Sequence, residues 1–277
     1  MRSLLLYTLI FTISSTISSQ IIDDKYYSTT DFSFLRDTVY TLKPYFLEVN
    51  LKTQKGYFYS RNDSTIEFGV STGTRWAKDG VDTKEGLFVI QSMMPKWHSR
   101  QFDSTLMLNW MGFNYGIGFH ALLGKSYYKY LGEKRSSHGC VRLSREMAEY
   151  IYSRIEPGTP VLVHSENNAV TVAFFDTSKS YNFFTSDTLY EILKSRFQQS
   201  YSGRYFLYDK EPVVIDSRNV NHPGLPIGSR KFLPKRQILK PDYKYISAVT
   251  PAPKSFEEIE IFSAGDYEMI STLESME

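Results

Sequence analysis

The chain contains a single cysteine, Cys140, among its 277 residues. One cysteine excludes an intrachain disulfide, and it excludes the paired-cysteine spacings that structural zinc sites use. No His-Glu-x-x-His segment takes their place. In a protein that leaves the cytoplasm, an unpaired cysteine is either an intermolecular link or a reactive thiol. Without informative neighbours, it could also be a small buried apolar residue that takes no part in chemistry.

Long apolar runs are also lacking at the start of the chain. The run from Leu4 to Ile13 is far shorter than the roughly 20 residues needed to cross a bilayer. Because Arg2 precedes this run and small polar residues follow at 14–19, the pattern predicts a secretory signal peptide over residues 1–19. No cysteine lies near the cleavage region, so a lipid anchor is not expected. We therefore expect an exported protein of the periplasm or cell envelope, with no transmembrane span after signal cleavage.

A strong excess of one charge is absent as well, since the formal net charge is +2. Basic residues nevertheless dominate between residues 95 and 145, where only Asp103 and Glu133 oppose them. The basic residues there are Lys96, Arg100, Lys125, Lys129, Lys134, Arg135, Arg142 and Arg145. This region suits anionic substrates. No aromatic RNA-binding signature or zinc finger accompanies it, so nucleic acid is not an expected partner.

Short alternating apolar runs are present from Tyr45 to His164, and they predict the fold class. Strands are expected within residues 46–51, 56–60, 64–70, 86–91, 115–120 and 160–164. Residues 94–109 lack clean periodicity and predict a long loop, whereas Ser144 to Ile155 predicts a helix capped by Ser144. Closely spaced short strands indicate a mainly β protein, a sandwich or partial barrel with one or two helices.

The two flanks of this region have a different texture. Residues 20–43 predict an N-terminal strap with weak helical periodicity, and residues 166–277 predict a small α+β C-terminal appendage with an acidic tail. Within the appendage we expect a strand, a helix, a hairpin-like pair and a linker. The strand is expected at 169–175 and the helix at 188–199. The hairpin-like pair is expected at 205–208 and 212–216, and the linker at about 223–254.

Cys140 and His120 are the candidate catalytic residues. A thiol is a strong nucleophile only as a thiolate, and a nearby imidazole, positive charge and backbone N–H groups all favour that form. His120 lies at the end of a predicted strand that could pair with the Cys140 segment. Gly139 permits a tight turn, so the N–H groups of His138, Gly139 and Cys140 could face one oxygen as an oxyanion hole. This pattern predicts acyl transfer.

The same residues resemble the active-site signature of the L,D-transpeptidases, also called YkuD-type catalytic domains. Ile117-Gly118-Phe119-His120 is followed, after residues 121–136, by Ser137-His138-Gly139-Cys140-Val141-Arg142-Leu143. Supporting matches lie at 70–73, 83–88 and 109–111. The resemblance runs from about Tyr45 to His164. It implies a YkuD-like catalytic domain, which we place at 44–165.

The resemblance implies a peptidoglycan enzyme that uses no metal or organic cofactor. Cys140 would attack a donor stem tetrapeptide, expelling D-alanine and leaving a thioester, while His120 would handle the protons. The acceptor would be a second stem peptide or a lysine of an envelope protein. Arg142 would bind a substrate carboxylate or brace the loop, and Ser137 would shape the loop. Ala121 stands where relatives often carry glycine or serine, but its backbone carbonyl could still orient the imidazole.

Other interpretations remain open at this level. With water as the acceptor, the same cysteine would give an L,D-carboxypeptidase or a hydrolase that detaches protein from the wall. A zinc site of His120, His138 and Cys140 is a third interpretation. A non-catalytic wall-binding protein is a fourth, with an inert or intermolecularly paired thiol and aromatic residues that stack on sugars. The aromatic candidates are Trp97, Trp110, Tyr127, Tyr128 and Tyr130.

Overall fold

The computed structural model describes residues 35–62, 64–99, 104–203 and 210–234. The predicted signal peptide, the predicted strand at 205–208 and the acidic tail lie outside these residues. In chain order the described strands are β1 (Asp37–Thr41), β2 (Tyr45–Asn50), β3 (Lys55–Ser60), β4 (Thr65–Gly69), β5 (Gly86–Val89), β6 (Ser92–His98), β7 (Leu106–Asn114), β8 (Ile117–Leu122), β9 (Val141–Arg142), β10 (Pro160–His164), β11 (Val170–Phe174) and β12 (Val213–Ile215). The described helices are α1 (Arg145–Tyr152) and α2 (Ser186–Tyr201). None of the described helices is long and apolar enough to span a bilayer.

A five-stranded sheet with the order β4-β3-β2-β10-β5 forms the centre of the fold. Its strand β10 runs parallel to β2 and antiparallel to β5, and all five of its residues are buried. Val161 and Val163 face one hydrophobic core, called the first core below, whereas Leu162 faces another, called the second core. Because successive side chains of a strand point to opposite faces, this sheet carries a core on each side.

A second sheet, β6-β7-β8-β9, packs over the first of these cores. Met111 and Phe119 of this sheet belong to the same buried cluster as Val161, and α1 adds Ala148 and Ile151. The helix begins where predicted, since Ser144 caps it by accepting a hydrogen bond from the Met147 amide. The mainly β prediction is confirmed.

The long loop predicted at residues 94–109 is wrong, because most of it belongs to a β-hairpin. β6 and β7 pair antiparallel, with Met94 opposite Trp110 and Trp97 opposite Met107. β6 lies at the edge of its sheet, and none of its residues is fully buried. An edge strand of this kind shows little hydrophobic alternation, and it tolerates Pro95 because its outer N–H groups need no partner strand.

A third sheet joins the two flanks of the chain in the parallel order β11-β1-β12. β1 lies in the predicted N-terminal strap. Its expected helical tendency is wrong, since Asp37–Thr41 alternates buried and half-buried residues with the period of a strand. The flank that precedes the central sheet is therefore paired with strands that follow it.

The C-terminal part covers the second core. The predicted helix is confirmed as α2, which buries Leu189 and Leu193 there, and the predicted strand at 169–175 is confirmed as β11. The linker predicted from about residue 223 is wrong as far as residue 234. Leu225 and Ile227 are buried in the second core, and Leu225 forms a bridge to Leu87 of β5.

Candidate active site

The β8–β9 pair positions Cys140 and His120. The two strands are parallel, with Phe119 opposite Val141 and His120 opposite Arg142. The register directs His120 and Arg142 to the same side of this pair, and Cys140 lies directly before β9. Extending that register by one residue places Cys140 opposite Gly118. A Cβ at Gly118 would lie only 2.5 Å from the Met111 carbonyl oxygen, because β7 passes close behind.

Cys140 is half-buried, and its thiol is held by backbone groups of the β7–β8 turn and of β8. Sγ lies 3.6 Å from the Gly116 carbonyl, to which the thiol donates. Burial raises the pKa of the thiol to about 11, although the Gly118 amide and the charge of Arg142 act in the opposite direction. Burial therefore opposes the expected thiolate and favours a neutral thiol at neutral pH.

His120 is buried, with 4% of its surface exposed. Its Nδ1 lies 3.2 Å from the Ala121 carbonyl, the contact that could still orient the ring at this non-glycine position. A proton on Nδ1 satisfies that carbonyl and leaves Nε2 as the basic nitrogen. Burial and, to a smaller extent, the charge of Arg142 lower the pKa of His120 to about 4, although the hydrogen bond to the Ala121 carbonyl acts in the opposite direction. The imidazole is thus neutral and able to accept a proton.

One of the three amides predicted as an oxyanion hole already has a partner within the cysteine loop. Gly139 N–H donates to Ser137 Oγ at 3.2 Å, so in this conformation that amide is engaged within the loop. The Ser137 hydroxyl also donates to the Cys140 carbonyl, and the His138 carbonyl accepts from the Val81 amide at 3.2 Å. The serine hydroxyl sits inside the turn, where it competes for an amide that glycine's flexibility would otherwise direct outwards.

Arg142 makes contacts that brace the loop. Its Nη1 donates to the Ser136 carbonyl at 3.1 Å, and its backbone pairs with Ser71 through hydrogen bonds of 3.0 and 3.1 Å. Its buried Nε has no hydrogen-bond partner among the described residues. Substrate binding and loop bracing were the two roles expected for Arg142 and Ser137. The contacts that the structure shows for both residues brace the loop.

Several residues without a predicted role hold the cysteine loop from the opposite side. Thr83 is buried and contacts both Gly73 and Gly139 through its hydroxyl, at 2.8 and 2.6 Å. Gln54 accepts from the Thr72 amide through Oε1 at 2.8 Å. The motifs at 70–73 and 83–88 pointed to these segments. Their function depends on contacts between residues far apart in the chain, which spacing alone does not reveal.

Two aromatic side chains are exposed in segments that contact the cysteine loop or its turn. Trp76, with 90% of its surface exposed, lies in the 74–82 segment whose Val81 holds the His138 carbonyl. Tyr115, with 68% exposed, precedes Gly116. Among the described residues, no three His, Cys, Asp or Glu side chains converge as they would to hold a metal ion.

Fold and site together define a mainly β domain that carries a cysteine and a histidine on one strand pair. Residues 44–163 match the family model of the L,D-transpeptidase catalytic domain, YkuD. A Bacillus subtilis (strain 168) protein named "Putative L,D-transpeptidase YciB" is 27% identical over 132 residues, which are 44% of this chain and 66% of that protein. The chain thus spans slightly less than two thirds of this curated relative. The resemblance to the L,D-transpeptidase catalytic domain family that the motifs predicted is confirmed for residues 44–163.

Solved structures of L,D-transpeptidases align with part of the chain. An L,D-transpeptidase from Stackebrandtia nassauensis is 23% identical, with a TM-score of 0.39, over 49% of this chain and 61% of that one. An L,D-transpeptidase from Mycobacterium smegmatis is 15% identical, with a TM-score of 0.39, over 44% and 58%.

Proposed function

We propose that this protein is an exported peptidoglycan L,D-transpeptidase that forms cross-links through a thioester at Cys140. The observation that supports this most directly is the register of the β8–β9 pair, which sets His120 opposite Arg142, two residues after Cys140. The donor is a stem tetrapeptide, and the acceptor is the side-chain amine of a second stem peptide or of an envelope-protein lysine. Its place of action is the cell envelope.

The proposed reaction begins from the neutral pair. His120 Nε2 removes the thiol proton as Sγ forms a bond to the donor carbonyl carbon, and the carbonyl oxygen becomes an oxyanion. The amide C–N bond then breaks, and D-alanine leaves with the proton that His120 returns to its nitrogen. The acceptor amine attacks the thioester in the same way, and Cys140 regains its proton.

The pKa values of the two groups support proton transfer during attack. Because burial raises the pKa of Cys140 to about 11 and lowers that of His120 to about 4, a separated ion pair is unfavourable before substrate binds. Donors aimed at the forming oxyanion offset this cost only as the new bond forms. The positive charge of Arg142 lies close enough to influence both groups, and it suits a substrate that carries carboxylates.

The test is incubation of the purified protein with disaccharide tetrapeptides, followed by mass spectrometry. Free D-alanine and cross-linked dimers are expected from the wild type, and neither from Cys140→Ala. Cys140→Ser is the matched control, since it keeps the size and the hydrogen-bonding group but replaces the thiol. Dimers formed equally well without the thiol would refute the role of Cys140.

The same experiment separates the acceptors. Tripeptide products without dimers would identify water as the acceptor and the protein as a carboxypeptidase. If neither product forms and a thiol reagent fails to label Cys140 in the folded protein, the proposed enzyme function is wrong.

A further inference from the structure

Thr83 occupies a position in the candidate site that the proposed reaction does not yet use. It lies just before β5 and is 3% exposed. Its hydroxyl accepts from the Gly73 amide at 2.8 Å and donates to the Gly139 carbonyl at 2.6 Å. A hydroxyl has one proton and two acceptor positions, so both contacts are made at once.

The contact with Gly139 fixes the direction of the next amide. The Gly139–Cys140 peptide is trans and planar, so its carbonyl and its N–H point in opposite directions. Thr83 holds the carbonyl on the side of the 73–83 segment. The Cys140 N–H is therefore directed away from that segment.

The Gly139 conformation makes such a restraint necessary. Gly139 has a φ of 144°, in a region that side chains rarely adopt, and glycine rotates between such regions at little cost. Its own N–H is already committed to Ser137 Oγ. Without Thr83, the Gly139–Cys140 peptide plane could rotate and turn the Cys140 N–H away from the reacting carbonyl.

We propose that Thr83 is a positioning residue that pre-organises the Cys140 amide as an oxyanion donor. The assignment rests on the proposed acyl transfer, because an oxyanion forms only when the thiol attacks a carbonyl. Thr83 acts through the backbone and touches neither the thiol nor the substrate. If Thr83 only held the Gly73 and Gly139 loops together, its loss would slow every reaction of Cys140 to the same extent.

Two reactions of the same thiol separate these roles. With p-nitrophenyl acetate, Sγ bonds to the acetyl carbon through a tetrahedral oxyanion, and p-nitrophenolate leaves. With iodoacetamide, Sγ displaces iodide from a methylene carbon, and no oxyanion forms. Thr83→Val keeps the shape of the side chain but loses both hydrogen bonds, and Thr83→Ser keeps the hydroxyl.

Thr83→Val is expected to slow acetylation by about 10²-fold, the usual effect of losing one oxyanion donor, while alkylation changes by less than about twofold. Thr83→Ser is expected to stay within about threefold of the wild type in both reactions. Equal slowing of both reactions by Thr83→Val, or unchanged acetylation, would overturn the proposal.

A measurement on the wild type covers the case in which Thr83→Val does not fold. A small peptide aldehyde adds to Cys140 as a hemithioacetal, whose oxygen occupies the oxyanion position. The Cys140 amide proton is expected to move downfield in the NMR spectrum, while the Gly139 amide stays in place. A shift at Gly139 and none at Cys140 would contradict the inference.

The outcomes also distinguish this inference from the proposed function. Suppose that Thr83→Val slows acetylation as expected but the wild type transfers no stem peptide. That result supports the role of Thr83 and rules out the transpeptidase assignment. Stem-peptide transfer that is insensitive to Thr83→Val does the reverse.

Discussion

Burial acts on the two candidate catalytic side chains in opposite directions. It raises the pKa of the Cys140 thiol to about 11 and lowers that of the His120 imidazole to about 4, because each group is less stable when charged inside the protein. Between these values the proton stays on sulfur. Cysteine chemistry that starts from a neutral pair depends more on the base and on oxyanion donors than chemistry that starts from a thiolate.

The first prediction concerns the pH dependence of Cys140 alkylation. The thiolate fraction increases as the pH rises through the thiol pKa, so the rate constant with iodoacetamide should still be rising above pH 9 and reach half of its maximum near pH 11. Stopped-flow measurement of the wild type, with Cys140→Ala as the blank, gives this profile. A plateau already reached below pH 7 would show a preformed thiolate–imidazolium pair and contradict the neutral resting state.

Among single residues, the sequence predicted the candidate catalytic side chains but not how the turn directs its amides. Cys140 and His120 follow from residue type and spacing. The orientation of the Gly139 amide depends on the Ser137 hydroxyl, and the Gly139 carbonyl depends on Thr83, 56 residues earlier in the chain. Such contacts are set by tertiary packing, and no local pattern encodes them.

At the scale of elements, local signals predicted α1 and failed for β6. Ser144, the apolar spacing and the following Pro157–Gly158 agree with the observed helix at Arg145–Tyr152. β6 carries no fully buried residue, so its own sequence shows no strand pattern. Its pairing with β7 is what stabilises it as a strand. An element that is stabilised chiefly by its neighbour leaves a weak pattern in its own residues.

The second prediction concerns the cap of α1, which begins directly after the cysteine loop. Ser144 Oγ accepts from the Met147 amide at 3.1 Å, so Ser144→Ala should lower the free energy of unfolding by about 1 kcal/mol. Ser144→Asp, which keeps an acceptor at the cap, should restore most of the loss. Urea denaturation measures both variants, and equal destabilisation by alanine and aspartate would show that the hydrogen bond is not what stabilises the helix start.

At the scale of the whole molecule, the residues that follow the central sheet, from β11 to residue 234, pack over the second core. Leu87 and Leu162 of the central sheet are buried in the same cluster as Leu189 and Leu193 of α2. The sequence did not predict this packing, because the central strands show only that their residues are apolar. An apolar run does not say what covers each face.

The third prediction follows from that shared core. Leu189 is fully buried, so Leu189→Ala should lower the free energy of unfolding by about 2 to 5 kcal/mol. Tyr190, its exposed neighbour on the same helix, is the matched control, and Tyr190→Ala should change the stability by less than about 0.5 kcal/mol. Equal effects at the two positions in thermal unfolding would mean that α2 does not pack on the sheet as described.

The last prediction concerns a contact between the C-terminal part and the turn beside the thiol. His222 Nδ1 accepts from the Tyr115 amide at 3.0 Å, and the two rings stack with centroids 4.4 Å apart. Burial lowers the pKa of His222, which keeps the accepting nitrogen unprotonated at neutral pH. Tyr115 precedes Gly116, whose carbonyl accepts from the Cys140 thiol, so the contact holds the turn that orients the sulfur.

His222→Phe keeps an aromatic ring against Tyr115 but removes the acceptor, whereas His222→Asn places an oxygen near the position of Nδ1. We expect His222→Phe to reduce the acetylation rate of Cys140 about threefold to tenfold and His222→Asn to reduce it less, with melting temperatures within a few degrees of the wild type. Stopped-flow acetylation and thermal unfolding of the full chain measure both effects. If the phenylalanine variant reacts as fast as the wild type, the thiol is oriented without help from the C-terminal part, which then serves the site only by covering the sheet.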